Sequence, residues 1–270
     1  MTTPPAQPDE FLAWAKVLVA AVGGGFVVKV FDIGYLELRR RADRRQSSST
    51  FLNQHLDPLL KAADELVGKL HSLGREDFQT FAEVDPAAPF THSDFASTAY
   101  LLARFWAQVE ILREHALYVS LSEEERGRWL AAFLDSLESR GVRLLDRISQ
   151  RAVGETLMAD SGAVTVRFID FIESLNDPDI ARWLTPLAEL LVKARHTRER
   201  QQLLTYGLVV HAMIDTLDAN HSVTRDRPAI PGKLSRATWR DLHYRVFRRY
   251  LTFVPDPEKY IGRPKPRATE

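Results

Sequence analysis

From Phe11 to Val30 the chain is apolar on every helical face, and Lys16 and Lys29 are the only charges in that stretch. A helix of this length spans about 30 Å at about 1.5 Å per residue, the thickness of a bilayer's hydrocarbon core. Both lysines stand near the ends, where their stems can carry the charge to the headgroups. Trp14 and Tyr35 stand near the expected interfaces, as amphipathic aromatics do. Gly23, Gly24 and Gly25 would each cost a helix in water about 1 kcal/mol, whereas small residues favour close helix approach in lipid. The pattern predicts a transmembrane anchor over 11–33, preceded by a short extracytoplasmic tail over 1–10. The alternative is a buried core helix with a glycine bend, in a chain that is wholly soluble.

Past the polar break QSSST at 46–50 the hydrophobic period is helical almost throughout. Leu52, Leu56, Leu59, Ala63, Leu66, Leu70 and Leu73 recur every three or four residues, one face of a helix, with Pro58 in its first turn or at a kink and Gly74 as its stop. A loop with two prolines leads to STAYLLARFWAQVEILREHALYVSL, expected to be the central helix of a bundle. Arg104, Gln108, Glu110 and Arg113 interrupt it, which argues against a second span. Ser122 and Glu125 have capping-box spacing. Further helices are predicted over VRLLDRISQRAVGETLM and AVTVRFIDFIESL, and over a long segment to Asp218 that bends at Pro186 or splits in HTRER. No strand pattern is flanked by hairpin signals. The expected fold is all-α: a single transmembrane helix, then a cytoplasmic helical bundle over 51–222. A basic, proline-containing tail with a short helix completes it over 223–270.

Charge sets the orientation. The basic juxtamembrane segment 34–50 carries Arg39, Arg40, Arg41, Arg44 and Arg45, while the residues before the run include Asp9 and Glu10 and no basic side chain. The positive-inside rule therefore places the arginine side in the cytoplasm, with most of the chain on that face of the membrane. Over all 270 residues, 36 basic and 36 acidic side chains balance, so no global field draws the chain to nucleic acid. The chain has no cysteine, which excludes thiol catalysis and thiolate-held metals.

Candidate chemistry is sparse. His211, Asp215 and Asp218 lie at i, i+4 and i+7, one helical face on which an imidazole and two carboxylates could meet a metal. The plainer reading is a helix C-terminus with solvated polar groups. Arg104, Glu110 and Glu114 share the central helix, where paired structural charges or a functional cluster both fit the pattern. WRDLHYRVFRRY interleaves Arg240, Arg245, Arg248 and Arg249 with aromatics, a composition for packing on the bundle or for lying on an anionic membrane surface. Phosphate-loop, dinucleotide, zinc-protease and nucleophile-elbow motifs are absent, and no motif calls for a cofactor.

HLDPLLKAADELVGKL and STAYLLARFWAQVEILRE, with QRAVGE at 150–155, resemble a loose group of uncharacterised bacterial proteins in which a short membrane helix precedes a helical domain. The resemblance covers roughly the first half of the part after the anchor and implies a membrane-tethered all-α protein without assigning any residue a role. The expected function is an interaction or regulatory module, with the lipid bilayer and a protein at its cytoplasmic face as partners. A metal-dependent helical enzyme is the second reading. After alkaline carbonate washing, the full-length chain should stay in the membrane pellet and a chain lacking residues 1–45 should not. A soluble full-length chain would make 11–33 a core helix.

Overall fold

A computed structural model describes residues 55–116, 124–159, 162 and 164–262. The expected anchor at 11–33 and the five arginines of 39–45 lie outside them. The described residues are helical, and their only strand-like pairing is an isolated bridge between Met158 and Thr165. No helix among them is long and apolar enough to cross a membrane.

Helix α1 covers 55–75 and buries the predicted stripe Leu56, Leu59, Ala63, Leu66, Leu70 and Leu73. It runs through Gly74, which is not a stop. A Cβ there would sit 2.7 Å from Leu204 and 2.9 Å from Ile230, so the glycine lets two other segments close in. The turn that follows places Phe78 at φ 59. Helix α2, Ser93–Ala116, pairs its interrupting charges structurally. Arg104 meets Glu65, and Arg113 meets both Glu110 and Glu138. Burial raises the Glu110 pKa, and Arg113 opposes the rise.

Helix α3, Glu125–Leu137, has Glu124 at its N-cap, without a side-chain cap bond, in place of the expected Ser122. Helix α4, Arg147–Glu155, starts five residues later than its apolar pattern predicts. The Asp146 carboxylate accepts from the Ile148 and Ser149 amides and fixes the start there. Helix α5, Phe168–Ser174, is shorter than the run that predicted it. The long segment splits rather than bends: α6 is Pro178–Val192 with Pro186 inside it, and α7 is Thr197–Leu217.

α7, not α2, is the enclosed element. Every residue from Leu203 to Ile214 is buried. Leu70 of α1 lies within 3.2 Å of where a Gly207 Cβ would be, and Trp106 Nε1 of α2 donates to Tyr206 Oη at 2.8 Å. The C-terminal segment closes the remaining side. Helix α8, Arg236–Asp241, continues into a π-helical turn over Leu242–Phe247, and α9 is Glu258–Ile261. Leu242, Val246, Phe247, Leu251, Tyr260 and Ile261 join the common core, so 223–262 is part of the bundle and not a peripheral tail. A bidentate pair, Arg227 Nε and Nη2 to Asp64 at 2.8 and 3.0 Å, ties that segment to α1.

Helices α2 and α4 approach backbone to backbone at Gly154, where a Cβ would stand 2.9 Å from the Trp106 carbonyl carbon. Alanine favours a helix by about 1 kcal/mol over glycine, but overpacking at fixed backbone costs about 1–3 kcal/mol or more. Gly154→Ala should therefore lower stability in urea unfolding despite its better helix propensity. A stabilised variant would show that the two helices can separate freely.

Candidate functional site

A groove of about 960 Å³ has α7 as its floor. Thr197, Arg198, Gln201, Gln202 and Thr205 of α7 line it, a set spaced to share one helical face. One wall is the α3–α4 connection, with Ser139, Arg140 and Arg143; the other is α8 and its π-helical turn, with Ser235, Asp241, Arg245 and Arg249. By contrast, the void beside Trp106 and Tyr206 is about 10 Å³, room for one water at most.

Two consecutive glutamines hold the walls in place. Gln201 Nε2 donates to the Lys233 carbonyl at 2.9 Å, and its Oε1 accepts from the Ser235 amide at 2.7 Å. Gln202 Nε2 donates to the carbonyls of Arg143 and Leu144 at 2.8 and 3.0 Å. Gln150 Oε1 accepts from the Leu144 and Leu145 amides, completing the first wall. Backbone groups that would otherwise be unsatisfied are thus met by side chains rooted in helices, which makes both walls rigid mounts for their arginines.

The groove is strongly positive. Five guanidiniums line it against the single carboxylate of Asp241, which lies 3.5 Å from Arg245. Arg140, Arg143, Arg198 and Arg249 have no carboxylate within 4 Å among the described residues. On the floor, Thr205 is 5 % exposed, and its hydroxyl makes no hydrogen bond among the described residues. Unpaired guanidiniums over an unspent hydroxyl form a donor-only surface, suited to an anion with several acceptor oxygens.

The expected metal-like triad is divided. His211 and Asp215 are together, with His211 Nε2 3.6 Å from Asp215 Oδ1. Asp218 is turned away and accepts from the Ser222, Val223 and Thr224 amides and from the Ser222 and Thr224 hydroxyls. Burial opposes the Asp218 charge, but these donors prevail and hold its pKa well below the usual carboxylate range. Beside Asp215 stand His221, 3.9 Å away, and Lys259 and Tyr260, which donate to Oδ2 at 2.5 and 2.9 Å. The His71 ring packs edge-on against His211 at 5.0 Å. No group of three or more His, Cys, Asp or Glu among the described residues is arranged to hold a metal.

Among the basic-aromatic residues, Arg245 and Arg249 line the groove, whereas Arg240 is exposed outside it and Arg248 lies over Tyr244 at 5.5 Å. Phe247 is buried in the core. Arg140, Arg143, Arg198 and Thr205 carried no local signal, because they converge only through the packing of α7. Comparison with known families, characterised proteins and solved structures finds no match to this chain.

The imidazole pair has a measurable consequence. Burial, then His211, Arg227 and Arg75, lower the His71 pKa from 6.5 to about 4, against a small opposing effect of Asp215. The unfolded chain therefore binds a proton at His71 between pH 6.5 and 4 that the folded chain refuses. Stability should fall as pH drops through that window, by about 3 kcal/mol from this group. His71→Leu should remove most of that fall in urea titrations at pH 7 and 4.5. An unchanged pH dependence would show that His71 is not held neutral.

Proposed function

We propose that this chain is a membrane-tethered binding module whose helical body recognises an anionic ligand in the arginine-lined groove. One observation carries the reading: guanidiniums from both walls converge on one open groove with a single carboxylate among them. Charges placed to stabilise the fold are normally paired, as Arg227 is with Asp64 and Arg113 with Glu110 and Glu138. The groove arginines are mounted on rigid elements and left open to solvent.

Tethering rests on the sequence pattern of 11–33 and the arginines of 39–45. Confinement to a bilayer raises the effective concentration of any ligand or partner held at the same face. The arginines then supply both attraction and orientation, since a planar guanidinium binds an anion through two parallel hydrogen bonds.

Binding of a generic polyanion tests this reading. Full-length protein in detergent should be retained on immobilised heparin and elute with salt, as counterion-driven binding does. Arg143→Glu with Arg198→Glu should elute at clearly lower salt, with unfolding unchanged because neither side chain is paired. Equal elution of both proteins would remove the groove as the working surface.

A further inference from the structure

We propose that the groove's ligand is a compact polyphosphate: two or three phosphate groups, each bearing a terminal charge, carried close together on one molecule. The inference rests on the anionic-ligand reading above and names the ligand's chemistry.

Charge density separates the candidate anions. The floor from Thr197 to Thr205 extends about 12 Å at about 1.5 Å per residue. Within that length, one carboxylate faces five guanidiniums. An extended acidic peptide presents same-side carboxylates roughly every 7 Å, at one charge each, so it places about two charges in the groove. A phosphate monoester carries about −1.5 to −2 at neutral pH, so two or three neighbouring phosphates match the excess within the same span. A nucleic-acid backbone carries one charge per phosphate and needs a longer track to match it.

Donor geometry points the same way. Arg140 and Arg143 approach from one wall, Arg245 and Arg249 from the other, and Arg198 from the floor. A ligand between the walls is therefore gripped from opposite sides, which suits tetrahedral phosphates with oxygens facing every direction. Thr205 supplies the second, independent sign of a ligand. Its side chain is almost fully buried at the floor, its hydroxyl makes no hydrogen bond among the described residues, and the groove is what it lines. The hydroxyl therefore keeps its hydrogen-bonding capacity for the groove, and a phosphate oxygen descending between the arginines would meet it.

The same chemistry has two sources, a soluble polyphosphate or a lipid headgroup with two monoester phosphates. Full-length protein in detergent would be titrated with inorganic tripolyphosphate and, separately, with dihexanoyl phosphatidylinositol bisphosphate, against sulfate at matched ionic strength. The expected result is saturable one-to-one binding of at least one phosphate probe, at least tenfold tighter than sulfate. Arg143→Gln and Arg198→Gln should each weaken it at least tenfold and Thr205→Val several-fold. Arg182→Gln, on α6 outside the groove, should leave it unchanged. Tighter tripolyphosphate binding assigns a soluble ligand, and tighter phosphoinositide binding a lipid. Phosphate probes no better than sulfate would overturn the phosphate assignment, while arginine-dependent heparin retention would leave the anionic groove standing. Loss of both would remove both readings. Thr205→Val is a near-isosteric change, so it remains informative if an arginine variant folds poorly.

Discussion

Enclosure of α7 is the constraint on which the other elements depend. A helix buried from Leu203 to Ile214 is shielded from solvent over most of its length, and the polar groups on and beside that stretch are met chiefly by the surrounding segments. Tyr206 receives the Trp106 indole N–H, Gln201 and Gln202 take backbone groups of the two flanking connections, and Asp215 receives Lys259 and Tyr260. The neighbours are positioned as much by these obligations as by apolar packing. α1, α2 and the C-terminal segment fill the gaps between them with leucine, phenylalanine and valine.

The two ends of α7 meet that constraint in opposite ways. At its N-terminal end the glutamines are satisfied and four of the five surrounding arginines have no carboxylate partner among the described residues, so the surface faces outward and positive. Toward its C-terminal end the groups are shielded. His71 and His211 are held neutral chiefly by burial, while burial and the charge of Asp215 raise the Tyr260 pKa. Among the described residues, His71 Nε2, both ring nitrogens of His211 and Asp215 Oδ1 lack hydrogen-bond partners. Unmet polar atoms sit inside the bundle at one end, and available charge sits outside at the other.

Legibility followed the same physics. The α1 stripe was readable because one face is buried and the other wet, which gives a clear period. The break before α7 was readable because HTRER interrupts two apolar runs. The identity of the central helix was not, since a helix buried on all sides has no polar stripe, and the more regular α2 looked equally apolar. The α4 start was hidden because Leu144 and Leu145 extend the apolar pattern past Asp146, whose capping role is set by its conformation. Arg245 and Arg249 stand out through their aromatic neighbours, but Arg140 and Arg143 lie tens of residues from Arg198 and from that segment. Their convergence is a tertiary fact, and so is the displacement of Asp218 by its own downstream loop.

The contact between Asp215 and the Lys259–Tyr260 pair also bears on how the chain is made. Asp215 is largely buried, and the two groups that meet its Oδ2 come from the last helix described. A ribosome delivers α7 well before α9, so for that interval the nascent bundle carries a carboxylate it cannot yet enclose. The Asp64–Arg227 pair imposes a similar delay on α1. The native packing of α7 is thus completed only after α9 has emerged, and a chaperone that shields the emerging α1–α7 intermediate has a defined object: the face that α9 later covers.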